Sequence, residues 1–321
     1  RYPMRYFPLS ALTAILLCLG LNTAIKAGEP PSFFNGFEVE NGLIATNEID
    51  HGGPGRDGIP ALDKPLFYEG DERGKNIKPG DQILGVSYNG VAKAYPINIL
   101  DYHEIVNDTF GDTPLTVTFC PLCGTGMVFY AEVDDKLLNF GVSGLIYNSD
   151  MLLYDRNTQS LWSQIMKKAV TGPLAGSELT QVPAQYTSWK TWLQQHPDTL
   201  LLSDDTGHAR NYKESPYYDY KRLPFVSFAT LHQDTRMPAK TWVVGITLGD
   251  DAIALPFTAL DKLDKPLAIS LGDSPLELQW DKEGAVARVF DSSGTEIPST
   301  AAYWFAWIAF HPDSQLYQPV D

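Results

Sequence analysis

The chain has 321 residues, a formal net charge of -15, 44% hydrophobic residues and seven tryptophans. A chain of this length and apolar content buries a large core without staples or metals. Its acidic balance excludes nucleic acid and anionic membrane surfaces as partners, since both need clustered lysine and arginine.

The first charges are Arg1 and Arg5, an apolar stretch covers 9–21, and Ala27 precedes Gly28-Glu29-Pro30-Pro31. This pattern predicts a secretory signal peptide over residues 1–27. The stretch is shorter than the roughly 20 residues that cross a bilayer. The expectation is therefore a periplasmic or extracellular protein with no membrane attachment once the signal is cleaved; an uncleaved anchor is the alternative. Cys18 falls inside the leader, which leaves Cys120 and Cys123 as the cysteines of the mature chain.

Residues 28–83 are rich in Gly, Pro and Asp without a sustained period, and read as an irregular N-terminal wrap. Residues 82–87, 91–95 and 115–119 read as strands, with Asn89-Gly90 as a hairpin turn. The pattern continues through 127–132 and 137–142. Residues 189–195 predict a short helix ended by His196-Pro197, because proline disfavours helical geometry in the residue before it. Residues 203–242 are polar and tyrosine-rich and read as a connecting segment. Strands resume at Trp242, and a second short helix is expected within 301–310. The fold class is mainly β (α+β) with a few short helices.

The chain also matches itself. The segment from Gly85 to Pro96 reads like Gly245 to Pro256, and Gly111-Asp112-Thr113-Pro114-Leu115 reads like Gly272-Asp273-Ser274-Pro275-Leu276. Trp189, Trp192, His196, Pro197 and Asp198 recur at the same spacing as Trp304, Trp307, His311, Pro312 and Asp313. Three matched blocks in one order predict an internal duplication. The first β-rich half is placed at 84–202, with an insert at about 140–186, and the second at 243–321. Tryptophans present in both halves are core residues on this reading, and His196 and His311 are caps.

What differs between the halves is where chemistry is expected. Asp281 stands where the first half has Cys120, and the segment holding His103 is matched by one without histidine. Three readings of Cys120-Pro121-Leu122-Cys123 compete. As a disulfide it closes a loop so short that it contributes only about 2 kcal/mol, leaving a structural or interaction module. As a thiol-disulfide redox centre, with Cys120 and Cys123 catalytic, it lacks the helix N-terminus that lowers a thiol pKa, since the flanks read as strand. As a metal site it resembles half of a zinc ribbon and needs further ligands, for which His103 and Met127 are the candidates. Two thiolates with a nitrogen or thioether suit a soft ion, copper as Cu(I) ahead of zinc. Metal binding leads, with a redox or metal-transfer protein as the implied partner. The insert is expected to roof this site, so Ser143, Tyr147, Asn148, Asp150, Asp155, Arg156, Trp162 and Gln164 are candidates to line a pocket. Asp150, Asp155 and Arg156 could instead form a buried ion pair. Gly141-Val142-Ser143-Gly144 lacks the spacing of a hydrolase nucleophile elbow.

Three motifs carry a family resemblance: His103-Glu104-Ile105-Val106-Asn107-Asp108, Thr118-Phe119-Cys120-Pro121-Leu122-Cys123-Gly124, and the insert from Phe140 to Gln164. In these the chain resembles the bacterial and archaeal proteins grouped as domain of unknown function 3179. The resemblance implies export and a shared site around the cysteine pair, and brings no catalytic assignments.

Overall fold

The computed structural model describes residues 32–319, so the expected signal peptide and Cys18 lie outside the described residues. The chain is mainly β, 40% strand and 13% helix, with its larger sheets arranged as a five-bladed β-propeller. Each blade has four or five strands.

Sheet I contains Gln82–Tyr88 and Val91–Pro96, paired antiparallel around Asn89-Gly90. Both turn residues have positive φ, 49° and 78°, as a two-residue hairpin loop requires. Gln185–Ser188, Leu200–Leu202 and Phe67–Tyr68 complete this sheet. Helix Ile97–His103 follows directly and leads into sheet II, made of Ile105–Phe110, Thr113–Cys120, Thr125–Tyr130 and Gln181–Val182. That helix was not legible in the sequence, because seven residues after a proline give too short a period to read. Sheet III is built from the insert: Phe140–Tyr147, Asp150–Asp155, Leu161–Ser163 and Lys168–Ala169, with Ile49–His51 of the wrap on its edge. The strand expected at 137–142 runs further, to Tyr147, because a register shift between Val142 and Leu145 lets it bend and continue.

Sheet IV, with Trp242–Leu248, Asp251–Pro256, Thr300–Tyr303 and Gln315–Leu316, has the plan of sheet I. In one, Gly85 pairs with Ala94 and a late strand joins in parallel; in the other, Gly245 pairs with Ala254 and a late strand again joins in parallel. Trp192 of helix Trp189–Gln195 lies flat on Gly85, and Trp307 of helix Trp304–Phe310 on Gly245. A Cβ at either glycine would overlap the indole. Each indole N–H donates at 2.8 Å to a hydroxyl seven residues on, Thr199 and Ser314. Each tryptophan also packs against the tilted ring of the histidine that caps its helix, with ring centroids 4.0 and 4.1 Å apart. Sheet V, formed by Leu267–Leu271, Ser274–Asp281, Val286–Asp291 and Glu296–Ile297, occupies the place after sheet IV that sheet II takes after sheet I.

Candidate metal centre

Cys120 is the last residue of its strand and pairs with Thr125, which leaves Pro121 to Gly124 to turn the chain. Gly124 has φ +68° and lies against the Trp242 indole, so the turn needs a residue without a side chain there. The backbone N–H of Tyr303 donates to the Cys123 carbonyl at 2.9 Å, tying the turn to sheet IV. Both cysteines are buried free thiols. Their sulfurs lie 2.9 Å apart, well beyond the roughly 2.05 Å of a disulfide bond.

The third member comes from the insert. Tyr147 pairs with Asp150 across a two-residue loop, Asn148 and Ser149, with φ of 53° and 68°. Neither is glycine, so the left-handed geometry is held by contacts. The Asn148 side chain supplies two: its amide donates to the Ala309 carbonyl at 2.6 Å and its oxygen accepts from the Leu231 N–H at 2.7 Å. The loop thereby delivers the Ser149 carbonyl to within 3.2 Å of the Cys123 sulfur and Asp150 Oδ1 to within 3.7 Å. Asp150 Oδ2 accepts from Ser163 Oγ and the Ile165 N–H. Ligand atoms of Cys120, Cys123 and Asp150 all lie within 4.8 Å of one another. The Ser149 hydroxyl is buried with no hydrogen-bond partner among the described residues.

Burial sets the electrostatics. It pushes the Cys123 thiol up, and the neighbouring thiol and Asp150 add to the effect. It lifts the Asp150 carboxyl to about 7 against the hydrogen bonds that favour its charge. Glu104, which caps helix Ile97–His103 with φ 57°, is raised to about 8 by burial and accepts a 3.3 Å bond from the Tyr217 hydroxyl. A raised thiol is a poor nucleophile, so Cys123 lacks the lowered pKa of an activated exchange thiol.

His103 points elsewhere. Its Nδ1 contacts the Pro60 carbonyl at 2.7 Å and its Nε2 the Tyr212 hydroxyl at 2.5 Å, so neither nitrogen serves the sulfurs. Asp150, expected to line a pocket or to join an ion pair, instead lies against the Cys123 sulfur. Met127 lies two residues along from Thr125, in the same buried cluster as both cysteines. Gln164 lies beneath the turn, donating to Thr118 Oγ1 and accepting from Thr125 Oγ1. The other insert residues shape sheet III. The Ser143 hydroxyl donates to the Leu152 carbonyl inside the register shift, and Tyr147 packs edge-on against Phe310. Asp155 accepts from the Trp162 indole at 3.0 Å. The expected pairing of Arg156 with its neighbours is not formed. Arg156 reaches Asp63 at 2.9 Å and Asp57 at 3.5 Å in the wrap instead. Nor does the insert alone cover the turn: Tyr220 of the connecting segment donates to the Leu122 carbonyl at 2.9 Å, and Lys221 pairs with buried Asp101. No sequence signal marks Asp101 or these tyrosines, and Glu104 shows in sequence only as part of the motif that begins at His103.

The family model for proteins of unknown function called DUF3179 matches residues 56–314. The chain belongs to that family. No match is found among curated proteins or solved structures. Within DUF3179 the segments that carry the resemblance converge here: the Cys-x-x-Cys turn, the insert hairpin that brings Asp150, and Glu104.

Proposed function

We propose that this DUF3179 protein is an exported metal-binding protein whose ion is held by Cys120, Cys123 and Asp150. The observation that carries the reading is the convergence of two sulfurs and a carboxylate oxygen within 4.8 Å, all three residues being buried. The hydroxyl of Ser149, the residue before Asp150, is buried and unpartnered among the described residues and supports it, since a buried polar atom of this kind calls for an ion or a water. Two thiolates and a carboxylate suit Zn2+, which takes sulfur and oxygen ligands together. The carboxylate thus reverses the order expected from sequence, and Cu(I) becomes the second choice, favoured by the Met127 thioether in the same cluster. When bound, the ion supplies Lewis acidity and displaces the protons that burial favours on Cys123 and Asp150. The matched geometry of sheets I and IV supports treating the halves as copies of one unit, with the site added to one copy.

The test is a titration of reduced, metal-free protein with Zn2+ and with Cu(I) against chromophoric chelators. Wild-type protein should compete for metal, and Cys123→Ser or Asp150→Asn should weaken it by roughly a hundredfold. Equal retention of metal by wild type and Cys123→Ser would reject the site.

A further inference from the structure

His103, set aside by the metal centre, belongs to a second structure. Its Nδ1 meets a carbonyl oxygen, which can only accept, so Nδ1 carries the proton and Nε2 accepts from the Tyr212 hydroxyl. The Tyr212 oxygen in turn takes the Thr206 hydroxyl at 2.6 Å. Burial lowers His103 to about 4, so the ring stays neutral near pH 7 and this direction holds. Tyr102 packs edge-on against Tyr212. The tyrosine ring is therefore fixed in place, as one wall of a cleft of about 440 Å3.

The cleft has two kinds of surface. Ile99, Leu201 and Leu202 are buried apolar residues at its floor. Lys78, Arg210 and Lys213 line it as cations, and none of them has a carboxylate within 4.0 Å among the described residues. Three unpaired cations on a chain of net charge -15 are a local reversal of sign. Two acids share the cleft and both are engaged: Asp204 accepts from Tyr68 and Asn76, and Asp81 from the Lys78 backbone N–H. Its volume falls in the range of small-molecule sites, which combine apolar lining with a few placed polar groups. The second half has no histidine at the matching place; Lys262-Leu263-Asp264 stands there.

We propose that this cleft binds a small amphipathic anion, a carboxylate with a short apolar tail, its tail on the Ile99–Leu201–Leu202 floor and its head between Arg210, Lys213 and Lys78. The proposal is independent of the metal centre, whose ligands do not line the cleft.

Isothermal titration with octanoate, octylamine and octanol tests it on metal-free wild-type protein. Octanoate should bind, octanol more weakly and octylamine least. Arg210→Glu with Lys213→Glu, both exposed positions, should weaken octanoate by roughly tenfold or more, a change of about 1.4 kcal/mol. The control Lys262→Glu with Lys265→Glu, on the second half, should leave it unchanged. No octanoate binding, octylamine binding as tight as octanoate, or indifference to the Arg210 and Lys213 reversals would each overturn the proposal.

Discussion

Sheets I and II hold a buried polar triad where sheets IV and V hold hydrocarbon. Lys93 Nζ donates to both carboxylate oxygens of Asp108 at 2.9 and 2.8 Å and to the Thr109 carbonyl, and the Tyr95 hydroxyl donates to Asp108 at 2.6 Å. By strand register the matching residues are Ile253, Leu255 and Ile269, which pack together in the core of the second half. Sheets of the same strand plan thus carry different fillings. A fully paired ionic cluster and a well-packed apolar one are often close in stability, whereas half of either is not, because an unpaired charge is left buried. Asp108→Ile alone should therefore cost about 3–5 kcal/mol, since it strands Lys93. The concerted change Lys93→Ile, Tyr95→Leu, Asp108→Ile should cost little or stabilise. Denaturant unfolding of both variants checks this, and a triple variant as damaged as the single one would break the equivalence of the halves.

The second contrast lies in the central hairpins. Thr113–Cys120 is buried along nearly its whole length, while Ser274–Asp281 alternates between core and solvent. Alternation marks a sheet with one wet face; continuous burial marks one covered on both. Coverage of the cysteine hairpin by the insert and the connecting segment is what desolvates Glu104 and Asp150. Among the described residues the second hairpin keeps alternate positions exposed. A carboxyl raised in the folded state from 4.5 to about 8 binds its proton more tightly when folded than when unfolded. Its contribution to stability is present below 4.5 and is lost as pH rises through 8. Metal-free protein should lose stability over that window, and Glu104→Gln should flatten the slope and raise stability at pH 8 by on the order of 2 kcal/mol. His103 acts in the opposite sense: lowered from 6.5 to about 4, it removes stability as pH falls through that interval. Urea unfolding at several pH values separates the two, and an unchanged slope in Glu104→Gln would mean that Glu104 is not buried as a neutral acid.

Much of this was legible in sequence because it is local. The mainly β class, the Asn89-Gly90 turn, the helix over residues 189–195 and the Cys-x-x-Cys turn all follow from signals within a few neighbouring residues. What failed to show was set by distance along the chain. Ile49–His51 pairs with Leu145 to Tyr147 nearly a hundred positions away, and no periodicity in the wrap announces it. The metal centre divides along the same line. Both cysteines were evident, but the third group of the candidate site is Asp150 rather than His103, because a tight hairpin built without glycine carries that carboxylate inward. Histidine was favoured by its usual chemistry, and chemistry alone does not say which way a side chain points.

The smallest difference lies at the turn itself, where the connections are of equal length: Cys120 pairs with Thr125 and Asp281 with Val286. Asp281 Oδ1 accepts from the backbone N–H groups of Glu283 and Gly284, at 3.0 and 3.3 Å, so the second turn is fastened by a carboxylate on its own backbone. Cys120 stands at that position in the first turn, and a thiol is a weak acceptor, so there the fastening passes to the Tyr303 N–H on the Cys123 carbonyl and the Tyr220 hydroxyl on the Leu122 carbonyl. Asp281→Ala should then cost about 1 kcal/mol, the scale of a lost side-chain cap. Cys120→Ala in metal-free protein should cost no cap energy, only the loss of a small buried sulfur. The measurement is the pair of unfolding midpoints in the presence of reductant and chelator, where Asp281→Ala should show faster amide exchange confined to Glu283 and Gly284. If the exchange at those two amides does not change, the carboxylate is not what holds the second turn, and the cysteines could not be said to have replaced it in the first.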